Sequence, residues 1–206
     1  PKTNRMVVID PGHGGENTGT KCVLNTGYEK DYTLDWAIRL RPLLLAKGWK
    51  VSLTRTNDKD LSLPERVAFA EKLKADLFIS LHFNSVDPAS ARPDHGGLET
   101  YCLTPAGMPS NLTRGFPDDL KLVYPNNAFD AQNLQYAVRL HRAMLEGSER
   151  KDRGVRRARF LAVLRGQNRP AVLLEGGYMS DPKEARLIAT GAFRQKLAQA
   201  MAKALE

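Results

Sequence analysis

Short apolar runs alternate with amphipathic helical segments along this chain, and each run stops at a polar or glycine-rich turn. The first run, residues 6–9, closes abruptly at Asp10-Pro11-Gly12. A run this short and rich in β-branched residues predicts a buried strand that ends in a turn. Because strands joined through helices pair in parallel, the alternation predicts an α/β fold.

The pattern predicts a single domain over residues 1–206, with no internal repeat and no interdomain linker. We expect a twisted, mostly parallel sheet of about six strands, flanked by helices on both faces. Pro42 is expected to break or kink the first helix. The strands are predicted at residues 6–9, 49–55, 75–81, 97–103, 160–164 and 171–174, and the helices at residues 30–47, 62–74, 130–147, 181 onward and 190–205.

Composition is that of an ordinary soluble domain, with 42% hydrophobic and 26% charged residues. Cys22 and Cys102 are too few for a disulfide scaffold, and one bridge or two buried thiols both remain open. No apolar run approaches the roughly 20 residues that a membrane span needs. The chain opens at Pro1 without an initiator methionine, so we expect a mature or excised piece that lacks its signal peptide.

The net charge of +8 favours an acidic partner, such as nucleic acid, an anionic membrane surface or an acidic wall polymer. The basic residues do not alternate with aromatic ones, and no zinc-finger or RNA-binding signature is present. We therefore expect no nucleic-acid partner.

Three predicted strands lead to residues that can carry chemistry, namely His13, His82 and Glu175. If these strands are parallel, their carboxyl ends meet at one edge of the sheet, where α/β folds bind ligands. Glu29, just before the first helix, can project over the same edge. Two imidazoles and one carboxylate form a catalytic zinc set that leaves a position for water.

Motifs of nucleotide-binding proteins and of serine hydrolases are absent. The glycine-rich turn after the first strand has Asn17 where a dinucleotide fingerprint needs its third glycine. No Gly-Lys-Ser/Thr follows it, which excludes a phosphate-binding P-loop. No G-x-S-x-G nucleophile elbow occurs either.

Ordered sequence blocks carry a family resemblance. DPGHGG, GYEKDYTL, LFISLHFNS, GLETY and RPAVLLEGGYMSDPKE resemble, in order and over nearly the whole chain, the zinc-dependent N-acetylmuramoyl-L-alanine amidases of the amidase 3 family. The match extends to Thr54-Arg55, to Asp58 and to the L-x-x-R of residues 63–66. The resemblance implies a twisted, mostly parallel sheet flanked by helices.

The resemblance also implies roles for particular residues. His13, Glu29 and His82 would bind Zn²⁺, and Glu175 would be the catalytic carboxylate. Asn84 matches a position near the metal, where it would support a ligand or contact substrate. His95 and His141 match no ligand of the family.

By the same resemblance the substrate would be peptidoglycan, cleaved between the lactyl group of N-acetylmuramic acid and L-alanine. We expect an exported protein, periplasmic or extracellular, acting as a monomer at the cell wall. Two alternatives remain: a zinc carboxypeptidase-like peptidase, and a non-catalytic wall-binding module or structural zinc site. Glu175 distinguishes an enzyme from the non-catalytic alternatives, because a binding module needs no general base and a structural zinc site has a fourth protein ligand.

The chain departs from the family pattern in two places. Its EGGY at residues 175–178 replaces a more usual E-L/T-G-F. Residues 105–130 form a longer segment than a minimal member needs, and their apolar content predicts a folded excursion rather than a disordered tail. We expect it to be a wall or a lid of the substrate groove, with packing far from the zinc as the alternative.

Overall fold

The computed structural model describes residues 4–87, 89 and 95–206, and their strands form one sheet. The six strands of these residues are β1 (Met6–Pro11), β2 (Lys50–Leu53), β3 (Leu77–Asn84), β4 (Leu98–Leu103), β5 (Asp152–Ala158) and β6 (Ala171–Tyr178). Their order across the sheet is β2-β1-β3-β6-β4-β5. Strands β2, β1, β3 and β6 run parallel, β4 is antiparallel to β6, and β5 is parallel to β4. The prediction of a mostly parallel α/β sheet is confirmed.

Helices cover both faces of the sheet. They are α1 (Glu29–Ala46), α2 (Leu63–Lys72), α3 (Asp130–Ser148), α4 (Ala162–Arg165), α5 (Pro182–Ile188) and α6 (Gly191–Ala204), with a 3-10 turn at Pro125–Phe129. Because side chains of a strand alternate between faces, Ile79 packs in a core with Trp36 of α1 and Leu197 of α6. Its neighbour Phe78 packs on the other face with Leu164 of α4.

This topology determines where a site can form. The carboxyl ends of β1, β3 and β6 lie side by side at one end of the sheet, and β4, which is antiparallel to β6, begins there. On β3 and β6 the alternation places Ser80, His82, Leu173 and Glu175 on the face that carries α2 and α4. Few helical residues cover this face, so a cleft has room beside α2.

Two expectations about local structure are wrong, namely the strand at residues 160–164 and a break of the first helix at Pro42. The strand predicted at residues 160–164 is absent, because the basic segment before it forms β5 and Ala162–Arg165 is helical. As an edge strand β5 tolerates its charged side chains, which also discourage pairing with another chain. Helix α1 runs unbroken through Pro42, which is exposed, so water can satisfy the carbonyl four residues earlier.

Three further predictions concern a helix cap, the two cysteines and membrane spans. Ser62 and Glu65 form the predicted capping box at the start of α2. Cys22 and Cys102 are both buried free thiols. In the described residues no helix has the length and apolar character to cross a membrane.

A buried ion pair holds the turn after β1. Asp10 and Arg66 are 1% and 3% exposed, and Arg66 Nη1 lies 2.8 Å from Asp10 Oδ1. Thr54 Oγ1 and Ser80 Oγ donate to the same carboxylate at 2.6 and 2.8 Å. Arg66 also donates at 2.8 Å to the carbonyls of Pro11 and His13. The pair thus fixes the backbone that presents His13.

Arg55 supports the same turn from the other side. It donates through Nε to the carbonyl of Pro11 at 3.0 Å and through Nη2 to the carbonyls of Gly12 and Lys30 at 2.9 and 2.8 Å. One guanidinium therefore ties the turn to the first turn of α1. The T-R and L-x-x-R motifs of the sequence supply these two buried arginines.

Replacing Arg66 by Met tests this arrangement. We expect a loss of about 3–5 kcal/mol in the free energy of unfolding, because the Asp10 carboxylate is left buried without its cation. Urea unfolding measures the change. Arg142→Met, at an 81% exposed side chain, is the matched control and should lie within about 0.5 kcal/mol of the wild type. Equal effects of the two substitutions would contradict a stabilising role for the pair.

Candidate metal centre

His13, Glu29 and His82 converge at the predicted edge of the sheet. His13 lies in the turn after β1, Glu29 is the first residue of α1, and His82 lies within β3 rather than after it. His13 Nε2 and His82 Nδ1 each lie 3.0 Å from Glu29 Oε1. One donor atom from each residue falls within 4.8 Å of the others, a spacing at which the three can share one metal ion.

The chemistry of this donor set fits a metal ion. Glu29 is 4% exposed, and Phe83 N and Thr20 N donate to its two oxygens at 3.1 and 3.0 Å. Burial opposes ionisation of Glu29, but hydrogen bonds with His13 and His82 outweigh it and hold its pKa well below the usual value. A buried carboxylate that stays ionised between two imidazoles is suited to a divalent cation.

Glycines make the close approach of these side chains possible. A Cβ at Gly12 would lie 2.3 Å from Cε1 of His82, so only glycine leaves room for the imidazole ring. Gly19 has a φ of +64°, and a Cβ there would lie 2.7 Å from Glu29 Oε2. His13 itself adopts a φ of 63°, a strained backbone conformation for a residue with a side chain.

Asn17 orients His13, a role that sequence reasoning missed. Asn17 Oδ1 lies 2.8 Å from His13 Nδ1, so it accepts a hydrogen bond when that nitrogen carries the proton. This tautomer leaves Nε2, which faces Glu29, free to bind a metal. Asn17 follows His13 by four residues in the same loop, and an antiparallel bridge between Gly14 and Asn17 folds the loop back on itself. The short spacing of the two residues is the sequence signal for this contact.

Glu175 lies beside this cluster on β6, where it pairs in register with His82. It is 8% exposed, and its Oε2 has no hydrogen-bond partner among the described residues. Burial raises the pKa of Glu175 well above its usual value, and the charge of Glu29 adds to this effect while Arg114 opposes it. An unpaired carboxyl with a raised pKa is suited to take up and release a proton.

Asn84 lies farther along β3 and contacts a second carboxylate. Its Nδ2 donates to Glu99 Oε2 at 2.8 Å, and Tyr101 and Tyr178 donate their hydroxyls to the same oxygen at 2.9 and 3.0 Å. Glu99 is 4% exposed and pairs in register with Glu175 across β4 and β6. The sequence contained Glu99 in the GLETY block but gave no reason for its role.

The two remaining histidines lie outside the cluster, as expected. His141 is buried, with Nδ1 3.0 Å from Thr100 Oγ1 and Nε2 2.9 Å from Asp152 Oδ1, and so links α3 to β4 and β5. His95 lies 3.2 Å from Ser180 Oγ through Nε2.

A cleft of about 280 Å³ opens over the cluster. Its walls include His13, Asn17 and His82 on one side and the start of α2 on the other. The two imidazoles therefore face a space that a substrate chain can enter.

Comparison with known proteins places the chain in a family. The Amidase_3 family model, described as N-acetylmuramoyl-L-alanine amidase, matches residues 7–206. The chain belongs to this family of hydrolases. The predicted family resemblance is therefore confirmed, and the match covers the cluster, Glu175 and all of the sheet except Met6.

Similar proteins and solved structures agree with this placement. The chain is 33% identical over 207 residues to the probable cell wall amidase LytH of Staphylococcus epidermidis. The match spans the full length of this chain but only 59% of that relative. It is 31% identical to AmiA of Escherichia coli K12, covering 96% of this chain and 74% of AmiA. The catalytic domain of CwlV from Bacillus (Paenibacillus) polymyxa superposes with a TM-score of 0.78 at 30% identity, over 98% and 96% of the two chains.

The EGGY departure from the Amidase_3 pattern has a packing explanation. A Cβ at Gly176 would lie 2.7 Å from the ring of Phe83, 2.9 Å from Trp36 and 3.1 Å from Leu197. These large side chains already fill the space that a larger residue would need. Gly176 therefore preserves the backbone of β6 next to Glu175.

Asn17→Ala tests the orientation of His13. We expect the affinity for a divalent metal ion to fall about 10- to 100-fold, because the imidazole loses the partner that holds its ring and tautomer. Competition with a chromophoric chelator measures this affinity. Asn168→Ala, an exposed asparagine before β6 at the opposite edge of the sheet, serves as control. An unchanged affinity in Asn17→Ala would show that Asn17 does not support the metal centre.

Proposed function

We propose that this chain is the catalytic domain of a zinc-dependent amidase that hydrolyses peptidoglycan between the N-acetylmuramic acid lactyl group and L-alanine. The observation that carries the proposal is the placement of Glu175 beside the His13, Glu29 and His82 cluster in a member of the Amidase_3 family. The domain would extend over residues 1–206, with residues 105–130 as its excursion. The relatives named as amidases support the same reaction.

His13, Glu29 and His82 are the proposed ligands of Zn²⁺. When bound, the ion supplies a Lewis acid for the amide carbonyl and lowers the pKa of a water molecule. Within the described residues the cluster has three members, which leaves room for water and substrate as catalytic zinc sites require. A structural zinc site would be closed by a fourth protein ligand.

Glu175 is the proposed proton carrier. Its unpartnered Oε2 accepts a proton from the attacking water and then delivers it to the nitrogen of the leaving L-alanine. Water adds across the amide, so the products are a lactyl carboxylate on the glycan and a stem peptide with a free amine. Neither a wall-binding module nor a structural site has use for such a group, which favours the enzyme.

The nearest enzymatic rival is a zinc carboxypeptidase-like peptidase. The chemistry of His13, Glu29, His82 and Glu175 suits both enzymes, so we prefer the amidase because the chain belongs to the Amidase_3 family. We propose that the protein is exported to the periplasm or cell exterior and acts as a monomer. Its net charge of +8 would attract anionic wall polymers.

Glu175→Gln separates catalysis from metal binding. We expect this variant to fold and keep its zinc, yet to lose amide hydrolysis by at least about 100-fold, because the amide cannot accept the proton of water. Digestion of purified peptidoglycan, with mass analysis of the released peptides, measures the reaction, and elemental analysis measures the metal. Loss of zinc would instead make Glu175 a ligand, and full activity would remove it from the mechanism.

His82→Ala tests the ligand set. Two remaining protein ligands hold zinc weakly, so we expect both stoichiometric zinc and activity to be lost. His13→Ala and Glu29→Ala should behave alike. His95→Ala, outside the cluster, is the matched control and should keep one zinc per chain. Stoichiometric zinc in any of the three cluster variants would refute the assignment of that residue.

A further inference from the structure

The long segment after β4 delivers a cation to the candidate active site. Arg114 Nη2 donates to Tyr101 Oη at 2.7 Å and lies 3.5 Å from Asn84 Oδ1. Its guanidinium carbon lies 5.4 Å from the ring centre of Tyr101 and 5.5 Å from that of Phe160. Arg114 also interacts electrostatically with Glu175. The segment therefore reaches the carboxyl end of β3 rather than packing only at a distance.

Partly buried polar contacts anchor this segment. Asp118 accepts hydrogen bonds from Ser110 N and Ser110 Oγ at 2.7 Å and from Arg159 Nη1 at 2.5 Å. Arg159 is 5% exposed, and its Nη2 donates to the carbonyls of Pro105 and Met108 at 3.0 and 2.5 Å. Phe116 stacks on Phe160 with ring centres 5.7 Å apart. These contacts hold the loop on both sides of Arg114, so the cation is positioned in advance.

Two further arginines adjoin Arg114 through shared partners. Arg153 and Arg156 lie on β5, with Nε atoms 3.3 and 3.6 Å from Glu99 Oε1. Arg156 Nε is buried and has no hydrogen-bond partner in the described part of the chain. Arg153 and Arg156 thus adjoin one oxygen of Glu99, and Asn84, Tyr101 and Tyr178 donate to the other. Arg114 contacts Asn84 and Tyr101, two of these donors, so the three guanidinium groups lie around one polar cluster. The surplus of positive charge favours an additional anion.

Resting on the proposed function, we infer that Arg114, together with Arg153 and Arg156, forms a subsite for the free α-carboxylate of the second stem-peptide residue. In the proposed substrate L-alanine precedes a γ-linked D-glutamate, which carries this carboxylate when it is not amidated. Guanidinium groups match a carboxylate in both charge and hydrogen-bond geometry.

The distances agree with this placement. Asn84 lies two residues beyond His82 along β3, across a register shift in the pairing with β6, so the two residues are at most about 7 Å apart along the strand. The carboxylate carbon of the second residue is five bonds from the scissile nitrogen, a path that extends to about 6 Å with standard bond lengths. A substrate amide placed at the cluster and Glu175 therefore brings this carboxylate to the level of Asn84 and Arg114.

A pair of soluble substrates tests the subsite. N-acetylmuramoyl-L-alanyl-D-glutamate carries the carboxylate, and N-acetylmuramoyl-L-alanyl-D-isoglutamine has an amide in its place. We expect kcat/KM of the wild type to be higher for the acid than for the amide. Arg114→Gln should raise KM for the acid about 10- to 100-fold, and at least tenfold more than KM for the amide.

Two variants complete the test. Arg114→Lys keeps the charge and should retain part of the preference for the acid, while Lys121→Gln, an exposed cation of the same segment, should retain all of it. Equal losses on both substrates in Arg114→Gln, or no loss, would overturn the subsite alone. Hydrolysis of neither substrate by the zinc-loaded wild type would overturn the proposed function, and the subsite with it.

Discussion

The buried pair of Asp10 and Arg66 is the interaction on which the site depends. The sheet brings β1, β3 and β6 side by side, but the turn after β1 must still present His13 with a left-handed backbone. The carbonyls of that turn point into the protein, where burial without donors would be costly. Arg66 and Arg55 supply these donors, and Asp10 supplies the charge that makes a buried Arg66 tolerable.

Glu29 links this turn to the helical layer. As the first residue of α1 it lies at the positive end of the helix dipole, which favours its negative charge. Backbone amides of Phe83 and Thr20 fix both carboxylate oxygens, so the side chain has little freedom. Its orientation is therefore set before a metal binds, which lowers the cost of assembling the centre.

Glu175 and Glu99 show how the sheet separates two buried carboxyl groups. They face each other in register on β6 and β4, yet only Glu99 has a full set of donors. Glu175 keeps an oxygen without a partner, and burial favours its protonated form. The two neighbouring carboxyl groups thus have different surroundings: hydrogen-bond donors and arginines enclose Glu99, whereas Glu175 is suited to exchange a proton.

The sequence by itself determined the mostly parallel α/β sheet, the Amidase_3 family and the set of residues that converges, because short apolar runs and their flanking motifs are local features. It misplaced the fifth strand, since the basic residues of β5 are compatible with a strand only at the edge position that the whole sheet provides. Tertiary structure alone decided that Asn17 supports His13, that Glu99 collects Asn84 and two tyrosines, and that Arg114 reaches Tyr101. These contacts depend on side-chain directions and on loop paths, which no local periodicity encodes.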